Sequence, residues 1–136
     1  MDNAHKLGVY LHLAQASKRR QRPLVRDRML LLAAAVGADM RLTKLAAYCR
    51  QEILEHNPRH LIGQWETVEE ALLQDEFLGL LKQVRRKYSV ERSERLLESL
   101  GIEIANERDT YYRDEEYAAA ILGLDPKQLL EETDDS

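Results

Sequence analysis

The sequence predicts an all-α domain, and three observations carry that reading. Met29 to Val36 reads MLLLAAAV, the longest stretch without a polar side chain. Leucine and alanine are strong helix formers, and β-branching enters only at Val36. Apolar residues recur at i, i+3, i+4 and i+7 in most other stretches, and none alternates as a half-buried strand would. Glycine and proline are few, six and three, and nearly all fall where a helix would start or stop. At 136 residues the chain is one domain by size, able to bury roughly two-thirds of its unfolded surface. The expected architecture is a bundle of about five main helices plus a short C-terminal helical corner.

The first helix is predicted over Ala4 to about Lys18, with Leu7, Tyr10, Leu11 and Ala14 on one apolar stripe. Leu7 to Ala16 faintly resembles a secretory leader, but His12 interrupts its apolar region and Asp2 weakens the basic start, so none is expected. A basic connector, Ser17 to Pro23, leads into the central helix, with Pro23 at a first-turn position and Gly37 expected as its left-handed cap. A helix apolar on every side must be covered on every side, so Met29–Val36 is expected to be the central rod.

Asp39 is placed to cap a third helix running to about His56, with Leu42, Leu45, Ala46, Cys49, Ile53 and His56 on its stripe. Asn57-Pro58 stops it and starts a short turn ending at Gly63. Thr67 and Glu70 have the spacing of a capping box and open a fourth helix expected to continue to Tyr88. Its stripe is Leu73, Phe77, Leu80, Leu81, Val84 and Tyr88, with Lys82, Arg85 and Arg86 on the far side. Ser89 caps a fifth helix through Leu100, and Gly101-Ile102 ends it. After a polar connector, Asp114, Glu115 and Glu116 begin a sixth helix, where the macrodipole favours acids, and Leu122-Gly123-Leu124 closes it. Asp125-Pro126 starts a short seventh carrying Leu129 and Leu130, and the tail from Glu131 is expected to be disordered.

Charge divides the chain. Residues 1–102 carry 17 Lys/Arg against 13 Asp/Glu, whereas residues 103–136 carry 3 against 11. The chain is therefore read as a basic helical core (1–102), an acidic helical segment packed on the same domain (103–130) and a tail (131–136). The acidic segment is expected to be drawn towards the basic connector around Arg19–Arg28. No apolar run approaches the ~20 residues of a spanning helix, so no membrane partner is expected. A single cysteine, Cys49, excludes an intrachain disulfide and fits a reducing compartment, and the expected location is the cytoplasm.

Cys49, Glu52, His56 and His60 invite a metal hypothesis. Helical residues seven apart are separated by roughly 10.5 Å along the axis, too far for Cys49 and His56 to share one ion. The plainer reading makes Cys49 a small buried hydrophobe and His56 a helix-end cap. No GxSxG, HExxH, Walker or dinucleotide-binding motif is present, so no catalytic residue, cofactor or metal ligand is assigned. The densest basic set is Lys18, Arg19, Arg20, Arg22, Arg26 and Arg28; Arg19, Arg20, Arg22 and Arg26 are the candidate phosphate or nucleic-acid contacts, since arginine forks match phosphate oxygens. Lys82, Arg85, Arg86 and Lys87 are ordinary cations near a helix C-terminus. Glu116 to Glu132 has the spacing of a helix-turn-helix corner, but Asp125, Glu131 and Glu132 against Lys127 alone would repel phosphates. Trp65, Tyr111 and Tyr112 are the candidate partner anchors, as large rings that either plug the core or seat a partner.

Three classes follow. The leading expectation is a non-enzymatic soluble helical protein-interaction module, its partner another protein or a second copy of the chain. Nucleic-acid binding through Lys18–Arg28 is the second, and an enzyme or metal protein without a recognisable motif the third.

Overall fold

The computed structural model describes residues 2–130, so the tail expected from Glu131 lies outside the described residues. The fold is all-α, with seven α-helices and no strand among those residues. They are α1 (Asn3–Arg19), α2 (Pro23–Asp39), α3 (Thr43–His56), α4 (Val68–Ala71), α5 (Asp75–Lys87), α6 (Val90–Ser99) and α7 (Asp114–Leu122). Short 3-10 turns lie at Leu61–Gln64, Glu107–Thr110 and Pro126–Gln128.

α2 is the central rod. Every residue from Met29 to Gly37 is buried, because α1, α3, α4 and α5 cover it on successive sides. Pro23 opens it at the first turn, where a missing N–H costs nothing. Its end differs from expectation. Gly37 does not cap the helix, which runs two residues further to Asp39. Gly37 is buried inside the helix, where a Cβ would lie 3.4 Å from the Leu45 side chain, an ordinary van der Waals contact. The left-handed position falls instead on Arg41, with φ of 63°, and Leu42 N–H bonds back to the Gly37 carbonyl. Asp39 therefore closes α2 and does not cap α3, whose N-cap is Leu42.

α1 is a second buried rod. Val9, Leu13 and Ala16 are buried beside the expected stripe, because α2 covers one side while α6 and α7 cover others. Asp2 caps it by accepting from the Ala4 N–H at 2.9 Å.

The helix expected from Thr67 to Tyr88 is two. Thr67 caps α4, accepting from Glu70 N–H at 3.0 Å, but a turn over Leu72–Gln74 intervenes before α5. The reason lies in the facing of the apolar residues. At about 100° per residue, one continuous helix would put Val68 and Ala71 on nearly the opposite side from Phe77, Leu81 and Val84. All five are buried, so the chain breaks and re-aims. Leu73, expected on the stripe, sits in the break and is 80% exposed. Asp75 and Glu76 gain a first-turn position, which the macrodipole favours.

α6 ends as expected: Gly101 has φ of 73° and Ile102 N–H reaches the Leu97 carbonyl. The acidic segment then returns to lay α7 along α1. Tyr117 packs directly over Gly8, where an added Cβ would be 2.2 Å from its hydroxyl.

Candidate functional site

The helix junctions place two polar arrangements. The first joins α2 to α3. Arg26 Nη2 donates to Glu52 Oε1 at 2.6 Å, and His56 Nδ1 lies 2.6 Å from Asp27 Oδ2. Asp27 is only 5% exposed; its Oδ1 and Arg26 Nε find no partner among the described residues. His60 sits close by, its Nδ1 accepting from Ile62 N–H at 3.0 Å, and burial lowers its pKa against the opposing influence of Asp27. Cys49 is wholly buried, and burial ahead of the nearby Glu52 charge pushes its thiol up to about 12. Such a thiol stays protonated and shielded, which removes the nucleophile a Cys–His pair would require. Among the described residues no group of three or more His, Cys, Asp or Glu is arranged to hold a metal ion. The arrangement clamps two helices. His56 acts across to Asp27 and not on the end of its own helix, a pairing over 29 residues that spacing alone could not reveal.

The second arrangement is a groove. The connector after α1 and the first turn of α2 stand on one side of it, and α6 on the other. Val25, Leu96 and Leu100 form its accessible apolar floor, backed by buried Leu13 and Met29, around a cavity of about 240 Å³. Tyr88, Leu96 and Ser99 are shared with a shallower extension of about 380 Å³ towards the start of α6. Arg20 and Arg22 line one end, and Lys87, Arg92 and Arg95 the other. No acidic residue lines either part, and none of these five cations has a carboxylate partner among the described residues. Leu96 is 39% exposed, and Leu24, on the first turn of α2, is 64% exposed.

The candidate residues fall apart in space. Arg19, Arg20 and Arg22 are exposed, and the latter two line the groove. Arg26 turns inward to pair with Glu52, and its side chain is 14% exposed. Its helical register puts it over α3, which the linear run of arginines concealed. Trp65 is half-buried, its ring edge-on to Phe77 at 6.0 Å and its carbonyl accepting from Arg50. Tyr111 lies 5.5 Å from Tyr117, and only Tyr112 presents its ring to solvent, at 92% exposure. None of the three lines the groove.

The acidic segment is anchored on α1 and not on the connector. His12 Nε2 lies 2.8 Å from Glu107 Oε1, and Glu107 also takes the Tyr117 hydroxyl. Burial, followed by the Glu107 charge, raises the pKa of that hydroxyl. Arg108 pairs with Asp114 at 2.6 Å, inside the segment itself. Arg92 and Arg95 were missed by sequence reasoning because they sit far from the dense arginine run, and Lys87 was read there only as a cation at a helix end. Their signal is the spacing of Arg92, Arg95, Leu96 and Ser99, which puts two cations beside an exposed leucine on one face of α6.

No described helix is long and apolar enough to cross a membrane. The chain matches no protein-family model, no curated protein and no solved structure.

Proposed function

We propose that the chain is a non-enzymatic protein-interaction module that binds through the groove between the α1–α2 connector and α6. The observation that carries this reading is an apolar floor of Val25, Leu96 and Leu100 bordered by cations that have no carboxylate partner among the described residues. Apolar side chains left at a surface groove lose contact with water only when something sits on them, and the rim sets orientation. The polar cluster of α2 and α3 supports the same reading, since its thiol is buried and its acid is closed from solvent.

A photo-crosslinking residue at Ser99, in the groove, and another at Gln83, on the exposed face of α5, test the proposal in cells of the native host. A protein is expected to be captured from position 99 and not from 83. It should bind the purified full chain, and Leu96→Asp should weaken that binding at least tenfold. Capture of nucleic acid from position 99, or binding indifferent to Leu96→Asp, would overturn the reading.

Nucleic-acid binding through Lys18–Arg28 is the second reading, favoured by exposed Arg19, Arg20 and Arg22, which have no carboxylate partner among the described residues. A mobility shift with short duplexes and single strands separates the two. Phosphate contacts would give affinity that falls steeply with added salt and vanishes in Arg19→Glu/Arg20→Glu.

A further inference from the structure

We infer that the occupant of the groove is an acidic amphipathic helix of a partner protein, its aliphatic stripe on the floor and its carboxylates against the rim. The inference rests on the interaction-module reading and names the chemistry of the partner. Charge complementarity carries it. Arg20 and Arg22 at one end of the floor and Lys87, Arg92 and Arg95 at the other carry a single sign of charge, and no acid of the lining offsets them. α6 shows how the sign is kept pure. At about 100° per residue, Arg92, Arg95, Leu96 and Ser99 fall within an arc of roughly 100°, while Glu91, Glu94 and Glu98 fall in a separate arc of roughly 60°. The acids are turned away to other work: Glu94 pairs with His5 of α1 at 2.8 Å.

The floor decides between occupants that share negative charge. Single-stranded nucleic acid is commonly held by aromatic faces on which bases stack, beside a basic groove. Here the floor is aliphatic, and its one ring, Tyr88, already has the Lys87 ammonium 5.7 Å from its centroid. Aliphatic anchors at i, i+3, i+4 and i+7 with flanking carboxylates match both the floor and the rim, in the helix-in-groove mode of recognition. The ten residues of α6 span about 15 Å at 1.5 Å per residue, so the fitting partner segment is about three turns long.

The test is fluorescence anisotropy with the full chain and three labelled synthetic peptides of eighteen residues. One has leucines at helical spacing with flanking glutamates, its twin has lysines for the glutamates, and a scramble keeps the composition but breaks the spacing. The acidic helix is expected to bind at least tenfold more tightly than either control, and to weaken several-fold between 50 and 300 mM salt. Arg92→Glu/Arg95→Glu, at two exposed positions, should melt as wild type does. It should lose the acidic helix by at least tenfold and gain the lysine twin. Equal binding of acidic helix and scramble would overturn the inference, as would an unchanged affinity in the double variant. Tighter binding of a single-stranded oligonucleotide would overturn it in favour of nucleic acid. Self-association that displaces the peptide would overturn it in favour of a second copy. A protein captured from position 99 that binds wild type and double variant alike would sink this inference while leaving the interaction-module reading intact. Loss of its binding on Leu96→Asp but not on charge reversal would do the same.

Discussion

The Cys49 thiol is wholly buried on α3, where burial pushes its pKa up to about 12. A thiol that is neither ionised nor reachable reacts only when the fold opens. Labelling by an aromatic disulfide reagent at pH 8 is therefore expected to be negligible in the folded protein and complete in denaturant; rapid stoichiometric labelling of native protein would contradict the placement. His60 yields a pH dependence. Burial first, against the opposing charge of Asp27, holds its pKa below 6.5, and its Nδ1 must stay unprotonated to accept from Ile62 N–H. The unfolded chain takes up that proton more readily than the folded one. The stability involved is thus complete above about pH 6.5 and is lost as pH falls through that value towards the folded pKa. His60→Asn keeps an acceptor near the same place but does not titrate. Urea melts from pH 7 to 5 should show wild type losing stability more steeply than His60→Asn, and parallel profiles would remove His60 as the cause.

At the scale of the element, the contact of α1 with α7 depends on Gly8. Alanine there would gain about 1 kcal/mol in helix propensity. Its Cβ, however, would meet Tyr117 at 2.2 Å from the hydroxyl and 3.0 Å from the ring, and Tyr117 is held by burial, by Glu107 and by Tyr111. Overpacking of this kind costs about 1–3 kcal/mol, so Gly8→Ala is expected to lower the melting temperature despite its propensity. Adding Tyr117→Phe removes the nearest atom and should recover part of the loss, which a thermal-melt double-mutant cycle reads directly. A stabilised Gly8→Ala would show that α7 does not lie as described. The break between α4 and α5 teaches the related lesson that apolar spacing must be followed around the whole helix. Val68 and Ala71 disagree in direction with Phe77, Leu81 and Val84, and that disagreement is present in the sequence beside the capping box at Thr67.

Across the whole molecule, α2 is the element every other packing decision refers to. Leu31 and Leu32 are buried among four helices, and a carboxylate at either place would be unpaired in an apolar interior. Burying such a charge costs several kcal/mol, against a domain stability of about 5–15 kcal/mol. Leu31→Asp should therefore show little cooperative thermal transition by circular dichroism, whereas a wild-type melt would deny α2 its central position. The charge division also resolves at this scale. The acidic segment is fixed to α1 by Tyr117 over Gly8 and by Glu107 on His12, and Arg20 and Arg22 line the groove instead.

The sequence by itself determined the helical class, the central rod, the caps at Thr67, Ser89 and Gly101, and the acidic turn that starts α7. These are local: propensity, periodicity and backbone caps act within a few residues, so a linear reading captures them. Tertiary structure alone decided that Asp27 meets His56, that Arg26 leaves the basic run for Glu52, and that α2 runs on past Gly37 while Arg41 takes the left-handed turn. It alone brought Arg92 and Arg95 to one end of a groove that has Arg20 and Arg22 at the other. Contacts between residues tens of positions apart depend on how whole helices rotate to share one core, and that rotation is set by packing over the entire chain.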